Sequence, residues 1–282
     1  MGPKPLQYLK MGLSTLLGFK PRGFFIPYRY ADSVPVQETY QILEQEFEGL
    51  KNKFSDFTDH FNKYSTDLIA IGLDNPPQPR WNQTWFPALD AAAAYTMVRE
   101  KRPARIIEVG SGHSTRFMVR AVKDGNLNTR ITAIDPSPRA TISSLNINII
   151  NATVQEVDRT IFDSLSSGDF LFIDSSHILM PGTDVDFLLN QILPSLPADV
   201  FIHIHDMFLP DAYPASWRWR GYNEQQAVAV LLQGGTCQII FPSHYVSTRM
   251  TEILNGPVLG RLESVEGAIN SSLWLQKTRT EI

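Results

Sequence analysis

Two short stretches of this 282-residue chain gather side chains that can move protons or hold cations. Asp174-Ser-Ser-His177 closes one apolar run, and His203-Ile-His205-Asp206 closes another. Imidazoles exchange protons near neutral pH, and carboxylates and imidazoles are also ligands for divalent cations. Asp174, His205 and Asp206 are therefore candidate ligands for Mg2+ or another divalent ion, and His177 with Asp174 a candidate catalytic pair. The plainer alternatives are a hydrogen-bonded Asp174–His177 turn and a satisfied core histidine at position 203.

A second constellation lies upstream. In Arg105-Ile-Ile-Glu-Val-Gly-Ser-Gly-His-Ser-Thr115 an apolar run ends in the turn Gly110-Ser-Gly112 and then a helix start. Such a turn lets a ligand approach the backbone. The next run, Arg130-Ile-Thr-Ala-Ile-Asp135, ends in an acid, which at a strand exit can accept hydrogen bonds from ribose hydroxyls. A nucleoside-bearing ligand follows. Thr115 stands where a dinucleotide fingerprint has its third glycine, so an NAD-dependent oxidoreductase is disfavoured, and no Gly-Lys-Ser/Thr follows for a P-loop. His113 is a helix-start residue or a ligand contact; Ser114 and Thr115 are possible helix caps.

These residues need a scaffold that brings strand ends together. From Trp81 the chain alternates helix-forming and apolar strand-like runs. Strands are expected at 105–109, 130–135, 147–150, 169–174, 200–205, 237–241 and 271–276. Helices are expected at 89–98, 114–123, 137–144, 161–165, 184–193 and 223–232, the last capped by Asn223. This alternation specifies a parallel sheet with helices on both faces, closed by an antiparallel edge hairpin, with ligands at the carboxyl ends of the strands. Before it, Val36, Tyr40, Leu43, Phe47, Leu50, Phe54, Phe57, Phe61, Tyr64 and Leu68 recur in steps of four and three. That pattern predicts one helix roughly 50 Å long, docked on its own domain or paired with a second subunit. It stops before the stiff linker Asn75-Pro-Pro-Gln-Pro79. The division is thus an arm and long helix over 1–80 and a main domain over 81–282.

Composition narrows the function. An apolar content of 43% and a charged content of 19% are those of a globular protein. A net charge of −4 supplies no basic field for nucleic acid. The single cysteine, Cys237, excludes an internal disulfide and fits a reducing, cytoplasmic setting. No run reaches the ~20 apolar residues of a membrane span. The Met1–Phe19 segment reads as a docking arm, with a membrane-surface helix as the alternative.

The pattern Glu108-Val-Gly-Ser-Gly112 followed by Asp135 resembles the first motifs of class I S-adenosylmethionine-dependent methyltransferases. The resemblance implies a Rossmann-like, seven-stranded, mostly parallel α/β sheet preceded by an N-terminal helical extension. It implies that Gly110, Ser111 and Gly112 approach the methionine portion of the methyl donor, and that Glu108 contacts it or fixes the turn. Asp135 would hold the ribose, and the turn at Val154 and Gln155 would supply the adenine pocket. Phe172-Ile-Asp-Ser-Ser-His177, Pro181-Gly-Thr-Asp-Val-Asp186, His203-Ile-His-Asp206, Phe208-Leu-Pro210 and Tyr213-Pro214 resemble one bacterial branch, the Methyltransf_24 type.

The acids after the fourth and fifth strands also resemble the catechol O-methyltransferase group, whose acids hold magnesium and whose base is a lysine. His177 stands at the lysine's position here. The expectation is O-methylation of a small hydroxylated acceptor, with His177 as base and a divalent ion on Asp174, His205 and Asp206. Trp219, Arg220, Tyr222 and Glu224 line the expected acceptor pocket, and Trp81-Asn-Gln-Thr-Trp85 covers the donor's methionine end. The rival reading is a non-catalytic S-adenosylmethionine-binding scaffold that dimerises through its N-terminal helix.

Overall fold

The apolar runs carry little polar alternation, so a sheet made from them has to be covered on both faces. The computed structural model describes residues 5–72, 75–138 and 140–278. Helix α1 (Pro5–Leu16) is followed by α2 (Gln41–Gly49), α3 (Lys51–Lys63) and α4 (Ser65–Ile69). The alternating part runs α5 (Ala88–Lys101), β1 (Arg105–Val109), α6 (His113–Asp124), β2 (Arg130–Ile134), β3 (Asn148–Ile150), α7 (Thr160–Asp163), β4 (Phe170–Ile173) and α8 (Asp184–Phe187). It ends with β5 (Phe201–Ile204), α9 (Glu224–Gln233), β6 (Cys237–Pro242), α10 (Ser243–Arg249) and β7 (Leu273–Lys277). Every residue of β4 and β5 is buried.

The seven strands lie in the order β3-β2-β1-β4-β5-β7-β6. Strands β1 to β5 are parallel, and β7 runs antiparallel between β5 and β6. The order reverses at β1 and β4, which opens a crevice at their carboxyl ends. Register then sets the site. Val109 lies opposite both Ile134 and Ile173, and Ile173 lies opposite Ile204. The next residue of each strand, Gly110, Asp135, Asp174 and His205, therefore emerges in one row. Helix α5 backs this row. Its residues Leu89–Val98 are all buried, and Ala91–Ala94 let neighbouring elements come close.

The heptad-like seam does not form one helix. The chain breaks at Leu50 (φ −102°, ψ 0°) and Tyr64 (φ −110°, ψ 16°), giving α2, α3 and α4. The seam wraps a curved body, and each break re-aims it. Phe47 and Phe54 pack edge-on against Tyr245 of α10 at 5.4 and 6.0 Å, and Phe57 packs on Phe241 of β6 at 4.7 Å. Tyr64 meets Tyr95 of α5 at 6.2 Å. The seam from Leu43 onward is thus consumed within the chain, although Val36 stays exposed. Polar ties close the wrap. Arg249 donates to both oxygens of Asp211 (2.6 and 2.7 Å) and to Glu44 (3.1 Å), while the Tyr245 hydroxyl donates to Glu48.

Two other expected helices differ. Residues 137–138 and 140–144 are turns and bends, and residue 139 lies outside the described residues. Pro136 and Pro138 supply no amide hydrogens there, and Ser and Thr favour turns. The helix expected over 184–193 begins as α8, then widens to a π-helical turn at Leu188–Ile192 and tightens to a 3-10 turn at Leu193–Ser195. Among the described residues no helix is long and apolar enough to cross a membrane.

Replacing Phe54, fully buried under Tyr245, with alanine is expected to cost about 3–5 kcal/mol in a denaturant titration. Val36→Ala, at an exposed position, is expected to change stability by less than about 0.5 kcal/mol. A loss at Phe54 that varied with protein concentration would mean that the seam joins subunits instead.

Candidate active site

The two glycines after β1 do different things. Gly110 has φ +78°, and a Cβ there would lie 2.0 Å from the carbonyl oxygen of Asp174. Only glycine lets the turn close against the end of β4. Gly112 is extended (φ 173°), and a Cβ there would meet nothing within 4 Å. It faces open space, where a ligand can approach.

Asp135 holds this turn. Its Oδ2 accepts from the Ser111 amide (2.9 Å) and hydroxyl (2.8 Å), and its Oδ1 accepts from the Ser137 amide (2.7 Å). Lone pairs remain on the carboxylate for a further donor. Glu108 is fully buried and accepts from the hydroxyls of Ser114 and Thr115, both at 2.6 Å. Thr115 in turn accepts from the Gly112 amide at 2.9 Å. Glu108 therefore braces the turn from beneath, and Ser114 and Thr115 are its partners. Burial pushes the Glu108 carboxyl up to about 8 against the pull of the two hydroxyls, with Asp174 and Asp135 adding repulsion. Gln155 is exposed and donates to the Gly182 carbonyl at 3.2 Å.

The acids and imidazoles beyond β4 and β5 converge. His177 is 3% exposed. Its Nδ1 lies 2.8 Å from Glu224, and its Nε2 lies 3.4 Å from Asp174 and 3.3 Å from Asp206. Both His177 (φ +61°) and Asp206 (φ +55°) adopt left-handed backbone, a strain that persists where the surroundings enforce it. Burial alone would lower the His177 pKa, but hydrogen bonds to Asp174 and Glu224 and the charge of Asp206 raise it well above the usual histidine range. Burial would raise Asp174, but the His177 hydrogen bond and the charges of the nearby imidazoles hold it at about 2. An imidazolium thus sits among three carboxyl groups. Asp174 keeps 41% of its side chain exposed, against 13% for Asp206 and none for Glu224, so Asp174 is the most open of the three carboxyl groups.

This arrangement bears on several expectations. Both nitrogens of His177 face carboxyl groups. Glu224 is buried behind His177. Among the described residues no group of three His, Cys, Asp or Glu side chains is arranged to hold a metal ion. Nε2 of His205 is turned to the Trp85 carbonyl at 3.1 Å, and the space between Asp174 and Asp206 is taken by His177. The proposed ligands Asp174, His205 and Asp206 do not fit a divalent ion as they stand. His203 is a core residue, stacked on Phe172 at 3.7 Å and bonded to Ser272 at 2.8 Å.

Asn223 precedes α9 without capping it through its side chain. That side chain instead exchanges hydrogen bonds with the backbone of Leu179. Trp81 is buried against Phe117, whereas Trp85 is 63% exposed. The Arg220 guanidinium lies 3.9 Å over Trp217 and donates to the Tyr222 hydroxyl at 3.0 Å. The Tyr222 ring lies 4.6 Å from that of His177, and Trp219 stands 42% exposed beside Arg220.

Sequence reasoning missed the support behind Asp206. Asp90, fully buried in α5, accepts from the amides of Ser271 and Ser272 and from the Ser243 hydroxyl, and the Ser271 hydroxyl donates to Asp206 at 3.3 Å. A lone acid in the run Leu89-Asp-Ala-Ala-Ala-Ala94 was the available signal, since a buried carboxyl needs donors. Asp184, quoted above only within the run Pro181 to Asp186, accepts from the amide and hydroxyl of Ser176.

The strand order, the glycine turn after β1 and the acid after β2 define a Rossmann-like, mostly parallel α/β fold. Residues 107–207 match the family described as a methyltransferase domain. A 90-residue stretch is 33% identical to an uncharacterized protein of Archaeoglobus fulgidus, covering 30% of this chain and 41% of that relative. Among solved structures the chain is similar to the methyltransferase PaMTH1 of Podospora anserina with SAH bound (14% identity, TM-score 0.41, 91% of this chain and 100% of that one). It is also similar to the plantazolicin methyltransferase BpumL with SAH and a desmethylPZN analog (17% identity, TM-score 0.44, 83% and 99%). A further similarity is to the O-methyltransferase TomG of Streptomyces achromogenes with SAM (13% identity, TM-score 0.40, 78% and 90%).

The raised Glu108 pKa has a stability signature. An ordinary glutamate ionises near 4.5, so the folded state favours the protonated form. This contribution is complete below about 4.5, falls as pH rises and is gone above about 8. Denaturation midpoints of the parent and Glu108→Gln should therefore differ by an amount that changes across that window. A constant difference would mean that Glu108 ionises freely. Gly110→Ala is expected to prevent closure of the turn on Asp174 and to cost several kcal/mol of stability, about the size of a severe overpacking change.

Proposed function

We propose that the chain is an S-adenosylmethionine-dependent methyltransferase that methylates oxygen on a small hydroxylated acceptor. The observation that carries this reading is the direct packing of the Gly110 turn on Asp174, which puts the open rim of the turn beside the cluster's exposed carboxylate. S-adenosylmethionine supplies a methyl on a sulfonium, and the sulfur keeps the electron pair of the broken bond as oxygen forms the new one.

The chain's residues do the rest. Gly112 leaves its face of the turn open to the methionine portion, and Asp135 offers its remaining lone pairs to ribose hydroxyls. Alignment supplies much of the acceleration in such a displacement. The attacking hydroxyl becomes strongly acidic as its oxygen gains the methyl, so even a carboxylate of low pKa can take the proton. The exposed carboxylate of Asp174 supports that role for it, with His177, braced by Glu224, as its positioning residue. Trp219, Arg220 and Tyr222 offer aromatic faces and a cation to a polar or ring-bearing acceptor.

Asp135→Ala is expected to weaken S-adenosylmethionine binding about 10–100-fold by calorimetry, the range for a lost hydrogen bond to a charged group. Asp174→Asn is expected to leave that affinity within a factor of about three and to lower turnover about 100-fold in a labelled-methyl assay. Unchanged turnover removes Asp174 from the reaction. EDTA-treated protein is expected to keep its rate. A rate lost to EDTA and restored by Mg2+ would mean that His177 yields its place between Asp174 and Asp206 to the ion.

A further inference from the structure

The first 36 residues are built unlike the rest of the surface. Among the described residues, large apolar side chains stand exposed throughout this segment, and beyond it only at Ile42, Trp85, Trp219, Val230 and Ile269. On α1, at 100° per residue, Leu6, Leu9, Leu13 and Leu16 fall on one face, and they are 79, 56, 46 and 59% exposed. The opposite side is used by the chain itself. Gly18 (φ +74°) turns the backbone, the Ser14 hydroxyl donates to the Lys20 carbonyl at 2.9 Å, and the Thr15 hydroxyl accepts from the Arg22 amide at 2.8 Å. Helix and returning turn thus form one unit, with leucines on one side and Lys20 and Arg22 carried on the other. Beyond it, Phe24, Phe25 and Ile26 are each about three-fifths exposed.

Charge sharpens the picture. Five basic residues, Lys4, Lys10, Lys20, Arg22 and Arg29, precede the first acidic residue, Asp32, and all 29 acids of the chain lie at or beyond it. We infer that residues 5–30 dock the protein on an anionic lipid surface, leucine face and aromatic rings among the acyl chains and lysine and arginine heads at the phosphates. Three features favour lipid over a second copy. The arm concentrates cationic charge on an acidic protein, as recognition of an anionic leaflet requires. Lysine is depleted from the cores of protein interfaces. Apolar side chains are also exposed off the leucine face, at Tyr8 and Met11 and at Phe24 to Ile26, which suits a fluid boundary better than a fixed complementary surface. The seat is peripheral, since no helix among the described residues can cross a bilayer. The inference is independent of the proposed chemistry.

The test is sedimentation of the full-length chain with vesicles of phosphatidylserine and phosphatidylcholine, against vesicles of phosphatidylcholine alone. Light scattering gives the mass in solution. The parent is expected to bind the anionic vesicles and to lose most of that binding in about 0.5 M salt. Lys20→Gln with Arg22→Gln is expected to lower partitioning about 30-fold, near fivefold for each charge at such a surface. Leu9→Asp with Leu13→Asp is expected to lower it at least tenfold, with a denaturation midpoint close to the parent's, because both side chains are about half exposed and neither belongs to the buried core. No binding by the parent, or equal binding by both double variants, overturns the proposal. So does an arm-dependent dimer that ignores vesicles.

Discussion

A buried charge must be matched, and the centre of this protein is organised around matching one. The His177 imidazolium is nearly shielded from solvent and lies among Asp174, Asp206 and Glu224. Removing a partner from such a set leaves another charge unpaired in a medium of low polarity. Much else follows from the need to keep all four groups together. Left-handed backbone at His177 and Asp206 is tolerated, α9 enters the core behind the strand ends with Glu224 at its start, and Ser271 reaches in from the segment before β7. The open carboxylate of Asp174 is held by groups that solvent cannot easily rearrange.

The N-terminal helices belong to the same design by a different route. Their aromatic seam covers α5, β6 and α10, and α5 carries Asp90, which anchors the serines behind Asp206. Arg249 joins Glu44 of α2 to Asp211 in the loop that follows β5. The backbone around Tyr40 also pairs with that loop, through the amide of Tyr40 to Pro210 and the amide of Ala212 to Glu38. The segment that looked separable in sequence is thus fastened to the loop leading away from the acids.

What was legible in the sequence was what local pattern encodes. Uninterrupted apolar runs marked the strands, and parallel register then made the residues ending those runs into neighbours, so the turn at Gly110, the acid at Asp135 and the cluster from Asp174 to Asp206 were visible in advance. The long helix failed because its period recorded which side chains are buried, while the curvature of the surface beneath them decided where the backbone bends. The burial of Glu224 had no signal in the sequence, because its neighbours Trp219 to Tyr222 are half-buried or exposed loop residues, whereas helix α9 turns it inward. The two glycines looked equivalent and are not: only the packing of β1 against β4 tells Gly110 from Gly112.

Strand β7 follows β6 in the chain yet lies between β6 and β5. While the polypeptide is being made, β6 therefore has no sheet neighbour, and β5 has an unbonded edge, until residues 273–277 leave the ribosome. The serines that steady Asp206 arrive in the same stretch of synthesis. The nascent protein can assemble the half around the Gly110 turn early while the half around His177 and Asp206 waits on distant residues, a long-range closure of the kind that slows folding. In the interval the two bare strand edges would be where a chaperone, or a misplaced strand from another nascent chain, could pair.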